Sequence, residues 1–350
     1  MQNQIVVTSG YMGSGSSAVT DLLTEIDGYK NATGSFEYIF MHCPGGLFDL
    51  EDKLLLGNNA LRSDEALHVF LETMQDLYCK RGYWPSGYKY YLSADFLKYC
   101  EDLIREILCV SVEETFWYYQ ENSQNLKMLV ENCLYCKKIM RKLGMKKPLR
   151  YNKMLFAYPT EDEFYPAAKN FLEKIFTDMG RKSGNIIVDQ LLLPHNLHRI
   201  DRYFGDELKV FVVERDPRDV FLINKYYWSQ QNAQVPYTYD VNDFCKMYRA
   251  LRNNEKTVND ERILRLSFEN LVYDYDNVLK HIYSFLNIDP RKHTQKLQLF
   301  NPQISVNNTQ IFRRNEKYSE ESEIIAKLLP EYIYDFSDKE SVPSFDAELF

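Results

Sequence analysis

Gln4-Ile-Val-Val-Thr-Ser-Gly-Tyr-Met-Gly-Ser-Gly-Ser-Ser-Ala-Val-Thr-Asp-Leu-Leu23 opens the chain and decides how it reads. Residues 4–8 are a short, mostly apolar run, residues 9–17 are rich in glycine and serine, and apolar periodicity resumes from Ala18 to Leu23. The order is strand, loop, helix. Such a turn presents backbone N–H groups at the positive end of a helix, where they hold phosphate. Gly10 and Gly15 have the spacing of a Gly-x-x-x-x-Gly-Lys-Ser/Thr loop, but Ser16 stands where the lysine belongs. A nucleoside-triphosphate loop reaches the β- and γ-phosphates with that lysine, so its absence points to another phosphate-bearing ligand. Taken alone, the pattern also fits a tight strand-to-helix turn.

A second stretch lies about two hundred residues on. Lys209–Glu214 (KVFVVE) is an apolar, β-branched run, as expected of a strand buried on both faces of a parallel sheet. It leads into Arg215-Asp-Pro-Arg-Asp-Val220, where Pro217 suits a first helical turn and Asp216 its cap. An arginine at the carboxyl end of a central strand faces the ligand edge of an α/β sheet. Arg215 can fork onto a phosphate there, each charge-assisted bond contributing roughly 1.5–3 kcal/mol. The alternative is that Arg215 and Arg218 only pair with Asp216 and Asp219.

Together these stretches resemble the sulfotransferases that use 3′-phosphoadenosine 5′-phosphosulfate (PAPS). Ser14-Gly15-Ser16-Ser17 is similar to that family's 5′-phosphosulfate loop, and Arg215–Val220 to its 3′-phosphate motif. Residues 262–272 (RILRLSFENLV) and the run to Leu286 resemble its strand, Glu-x-Leu step and helix. Residues 305–314 (SVNNTQIFRR) resemble its basic closing segment. The likeness covers about the first forty residues and roughly 185 to 335. It implies a P-loop-like three-layer α/β sandwich with a parallel sheet of about five strands, and sulfuryl transfer from PAPS to an acceptor hydroxyl without a metal. The implied nucleotide contacts are Gly13, Ser14, Gly15, Ser16 and Ser17 for the 5′-phosphosulfate, with Arg215, Asn224 and Arg313 or Arg314 for the 3′-phosphate.

Some positions depart from the family pattern. Gly13 replaces the basic residue that normally precedes Ser-Gly, which leaves Arg62 and Lys225 as candidate replacements by elimination. Ile223 stands where a serine usually meets the 3′-phosphate, so Asn224 beside it is the substitute. The strand 185–189 offers no acid–base group except Asp189. The implied base is Glu37, in Ser35-Phe-Glu-Tyr-Ile-Phe40, a setting similar to sulfotransferases acting on sugars. It must come within about 3 Å of the acceptor hydroxyl, with a pKa lifted by its surroundings; His42 is a second candidate. The acceptor expected is a glycan or sterol-like alcohol. A non-catalytic protein binding PAPS or 3′,5′-ADP, and a P-loop kinase, are the competing readings.

Composition bounds the rest. The chain has 350 residues, 45% hydrophobic and 26% charged, as in a soluble globular protein. A net charge of −8 lacks the basic stripe of a nonspecific nucleic-acid binder but permits a local basic pocket. The seven cysteines form no regular framework, and Cys133-Leu-Tyr-Cys136 lacks the second pair that zinc needs. His195 and His198 lack a third ligand nearby. No targeting or membrane-spanning stretch is read, so a cytoplasmic location is expected and the sequons at Asn31 and Asn307 are irrelevant. A single domain over 1–350 is expected, with an all-helical acceptor lid inserted at 62–181. Its clearest helices are 63–78, 94–108, 126–143 and 167–179, and residues 159–166 are a connection. The aromatic clusters at Trp84, Trp117–Tyr119 and Tyr226–Trp228 fit core, or a stacking surface for a sugar or sterol.

Overall fold

The structure is a computed structural model and describes residues 3–31, 36–80, 86–113, 142–143, 151, 153–231 and 237–339. The chain begins with β1 (Ile5–Gly10), α1 (Ser16–Thr24) and β2 (Tyr29–Asn31). There follow α2 (Leu47–Leu55), α3 (Ala60–Cys79), α4 (Phe96–Ile107), β3 (Val110–Glu113), β4 (Lys153–Phe156) and α5 (Glu161–Asp178). The remainder is β5 (Asn185–Asp189), β6 (Leu208–Glu214), α6 (Pro217–Tyr226), α7 (Val241–Asn253), β7 (Ile263–Ser267), α8 (Phe268–Tyr273), α9 (Tyr275–Leu286) and α10 (Glu316–Leu328). Two compact units form: Met1–His42 with Phe176–Phe350, and Cys43–Ile175.

The first unit is built on a five-stranded sheet in the order β2-β5-β1-β6-β7, every neighbouring pair parallel. All six residues of β1 are buried, and β6 is buried at five of seven positions. Both faces are covered, which is why these strands read as continuous apolar runs. Val6, Val19, Leu22, Phe211, Leu271 and Ile282 are among the residues of the core that joins β1, β6, α1, α8 and α9. From β1 the chain turns toward β2, and from β6 toward β7. Strand order thus reverses between β1 and β6, and a crevice opens past their carboxyl ends, where doubly wound sheets bind ligands.

In the second unit α3 starts on Asn59, whose side chain accepts from the Leu61 and Arg62 amides. Its buried Ser63 and Asp64 tie it to β4 and the segment beyond: Asp64 accepts from Leu155 N at 2.7 Å and Ser63 Oγ from Ala157 N at 2.7 Å. Phe171 of α5 meets Phe70 and Phe96. Two expectations fail here. The unit is not all helical, because Val110–Glu113 and Lys153–Phe156 pair as an antiparallel ribbon. Every residue of β3 is exposed, so no burial pattern marks it in the sequence. Residues 159–166 are not simply a connection either, since α5 begins at Glu161 and holds Pro166. Thr160 and Glu163 form a capping pair there, the Thr160 N–H donating to Glu163 Oε2 at 2.8 Å, with Glu161 and Asp162 also in the first turn. Those acids complement the helix dipole and offset the bond that proline removes. The helix read at 126–143 lies outside the described residues save its last two, as do Trp84, Trp117–Tyr119, Cys133 and Cys136.

Candidate active site

Past the end of β1 the chain turns tightly, Ser14 N–H donating to the Tyr11 carbonyl at 2.8 Å. Gly15, at φ +87°, caps α1, and a Cβ there would lie 2.8 Å from the Phe268 ring. Both the backbone angle and the approach of Phe268 require glycine. With Ser14 N–H used inside the turn, the first-turn amides of α1 at Ser16 and Ser17 are the loop's outward donors. Ser14 itself is buried, and its hydroxyl has no partner among the described residues.

Arg215 arrives from the end of β6. It is 4% exposed, stacks on Phe268 with Cζ 4.7 Å from the ring centre, and donates from Nη1 to the Gly13 carbonyl at 3.1 Å. Its Nη2 donates to the Asn308 carbonyl, while its Nε is buried without a partner. The guanidinium thus joins the β1 loop to residues 306–314. Asp219 fixes that same segment, accepting from Gln310 N at 2.9 Å and Ile311 N at 2.8 Å. Burial, reinforced by neighbouring Asp216, lifts the Asp219 pKa to about 7. Glu269 is buried beside them, accepting from Asp216 N at 2.9 Å and Ser267 Oγ at 2.7 Å. Arg218 behaves otherwise: it forks onto Asp216, with Nη2 to Oδ2 at 2.6 Å. Of the two arginines weighed as internal pairs with the adjacent acids, Arg218 is such a pair, while Arg215 donates to the Gly13 and Asn308 carbonyls.

The other predicted contacts divide. Arg314 donates to the Asn307 carbonyl and keeps a buried, unpartnered Nε. Arg313 is exposed and lines a separate cleft with Arg218, Phe312, Tyr334 and Phe336. Asn224 is fully buried and its amide donates to the Tyr237 carbonyl at 3.4 Å, so no described contact brings it to Arg215. The cation candidates for Gly13 are both engaged by other partners. Lys225 is bound to Glu321 at 2.5 Å, and Arg62 of the second unit donates to the Asp52 and Leu56 carbonyls. Gly13 has φ +79°, and a Cβ there would meet the Trp228 ring at 3.1 Å. Indole therefore fills the space toward which a side chain at 13 would grow.

Glu37 is half-buried, and burial pushes its pKa to about 7. Tyr38 N–H donates to the Asp189 carbonyl at 2.9 Å, which sets Glu37 beside the end of β5. Asp189 is also lifted to about 7, first by burial and further by the charge of Glu37, against the Thr8 hydroxyl that donates to it at 2.9 Å. Two carboxylates thus stand near the β1 loop with their ionisation coupled. His42 is bound to the Gln190 carbonyl through Nε2 at 2.8 Å, and burial lowers its pKa. His195 is engaged by the Leu251 carbonyl.

The sequence reading missed the group that braces Tyr11. Arg252 stacks on its ring at 4.0 Å and pairs with Glu214 at 2.9 Å, and the Tyr11 hydroxyl donates to Glu255. These residues lie more than two hundred positions from Tyr11, and no spacing links them. Among the described residues no group of three or more His, Cys, Asp or Glu could hold a metal ion, and no helix is long and apolar enough to cross a membrane.

A five-stranded parallel sheet with a glycine–serine loop after its central strand and a buried arginine at its strand reversal defines a class of P-loop-like α/β proteins. Within that class, the sulfotransferase family profile matches residues 110–292, more than half of the chain, and the chain belongs to that family. Among solved structures, it is similar to the sulfotransferase domain of the Synechococcus PCC 7002 olefin synthase (15% identity over 98% of this chain and 91% of that one, TM-score 0.39). STF9 from Mycobacterium avium matches at 11% over 98% and 78% with TM-score 0.35. The sulfotransferase domain of the curacin biosynthetic pathway matches at 13% over 95% and 99% with TM-score 0.38. A search of curated proteins finds no match.

Proposed function

We propose that the protein moves the sulfuryl group of PAPS to an alcohol of a glycan or sterol-like acceptor, giving a sulfate ester and 3′,5′-ADP. The observation that carries this reading is Arg215 reaching from β6 to Gly13 in the β1 loop. Around it, Ser14 Oγ, Arg215 Nε and Arg314 Nε are buried donors without partners among the described residues. Such groups are costly to leave unmet and suit an anionic ligand. On this reading the Ser16 and Ser17 amides and Ser14 Oγ hold the 5′-phosphosulfate. Arg215 and Arg314 take the 3′-phosphate; to join them the exposed Arg313 must turn inward and Asn224 must leave the Tyr237 carbonyl.

Glu37 removes the acceptor proton as the acceptor oxygen bonds to sulfur and the bond from sulfur to the phosphate oxygen breaks. A pKa near 7 suits a base working at neutral pH. The transition state is expected to be loose, so positioning and charge stabilisation dominate. Charge left on the departing phosphate falls to the α1 amides. Buried free thiols at Cys43, Cys100 and Cys245 suit a reducing, cytoplasmic setting.

Calorimetric titration with 3′,5′-ADP, 5′-AMP and ATP, with and without magnesium, tests the reading. A metal-independent preference for 3′,5′-ADP over 5′-AMP of at least about tenfold, on the order of 1.4 kcal/mol, is expected. Tighter, magnesium-dependent ATP binding would overturn it. Gly13 and its Trp228 neighbour favour one competitor, a protein that binds the nucleotide without turning it over. That competitor wins if a broad panel of hydroxyl acceptors is never sulfated.

A further inference from the structure

Gln190 follows the last residue of β5 and is one of four non-glycine described residues with positive φ, at +56°. A glutamine in the left-handed region costs energy, and such strain gathers where the surroundings fix a residue for a purpose. Three hydrogen bonds tie Gln190 to its surroundings at the site. Its N–H donates to the Thr8 carbonyl of β1 at 2.9 Å, and its carbonyl accepts from His42, five residues beyond Glu37. Its side-chain amide donates to Ser16 Oγ at 2.8 Å. Ser16 occupies the first position of α1, in the loop where a nucleoside-triphosphate site would carry lysine.

The direction of that last bond matters. A hydroxyl has one proton to give. With Gln190 donating to the oxygen, the Ser16 proton remains available, and no described residue accepts it. We propose that Gln190 is a positioning residue. It holds the Ser16 hydroxyl as a donor aimed at the sulfonate end of the bound donor, and through His42 it fixes the distance from that loop to the segment bearing Glu37. The inference rests on the PAPS reading above and assigns the residue that orients its loop. Glycine would relieve the backbone at 190 but lose the amide, while Gln190→Glu keeps the length and reverses the bond, because a carboxylate takes the Ser16 proton.

The test measures affinities for PAPS and for 3′,5′-ADP, which lacks the sulfonate, by calorimetry in wild type, Gln190→Gly, Gln190→Glu, Ser16→Ala and the Gln190→Gly/Ser16→Ala double variant. Expected are a roughly five- to tenfold fall in the PAPS to 3′,5′-ADP affinity ratio in each single variant and no further fall in the double, since one interaction is removed twice. Melting temperature should hold or rise in Gln190→Gly, separating positioning from a merely structural role. With an active acceptor, kcat should fall while the acceptor KM holds. An unchanged ratio in Gln190→Gly, a Gln190→Glu variant that binds PAPS like wild type, or effects that multiply in the double variant would overturn the inference alone. Wild type that binds neither nucleotide would overturn the PAPS reading, and this inference with it.

Discussion

The two walls of the crevice are made in opposite ways. On the β1 side the chain is shaped by what is missing: Gly13 and Gly15 take positive φ, and neighbouring rings occupy the space a side chain would need. On the β6 side it is shaped by buried charge, with Arg215 set among Asp216, Asp219 and Glu269, each no more than 4% exposed. The first wall is damaged by adding atoms and the second by removing them. Each fails differently, so substitutions can tell the two apart.

The sharpest break is Arg215→Ala. It leaves buried carboxylates without their guanidinium and should cost about 3–5 kcal/mol, read as a lower denaturation midpoint. Arg215→Lys keeps the charge but not the fork, and should fold while binding 3′,5′-ADP more weakly. Next comes Glu37→Gln, expected to lower kcat by about 10²–10⁴ with nucleotide affinity intact, as steady-state kinetics and calorimetry will show. In the wild type, kcat should rise with pH through about 7 as Glu37 ionises.

Gly15→Ala tests the opposite wall. Its φ of +87° and the 2.8 Å approach to Phe268 predict a loss of about 2 kcal/mol in thermal unfolding. Asp189→Asn should have the smallest effect and the opposite sign. The Asp189 carboxyl is raised to about 7 in the folded chain, so its contribution is neutral below the unfolded value near 4 and grows unfavourable as pH rises through 7. The variant should therefore be more stable than wild type at pH 8 and no more stable near pH 3, read as denaturation midpoints at the two pH values. Removing the neighbouring charge should also move the rising limb of kcat to lower pH.

The sheet was legible because β1, β5 and β6 are buried on both faces and carry that burial in their composition. Asp216 capping α6 with Pro217 in its first turn was legible too, since caps are local. The ribbon of β3 and β4 was not, because Val110 and Val112 face solvent. In the site, Arg215 could be placed from its strand alone. The inward turn of Ser14 N–H, the strain at Gln190 and the Trp228 ring over Gly13 depend on tertiary contacts that no local pattern records. Asn224 and Ile223 are both fully buried, so a shift of one residue along the helix does not by itself separate a ligand position from the core.

The position of β1 has a consequence for how the protein is made. The strand at the sheet's centre is synthesised first, yet both its partners, β5 and β6, come more than 170 residues later. At roughly 5–20 residues per second, a ribosome leaves that strand, wholly buried in the finished sheet, and its glycine loop unpaired for about 10–40 s. The closing segment at 306–314 arrives later still. Any truncation before Asn308 therefore leaves Arg215 at the end of β6 without the carbonyl that receives its Nη2.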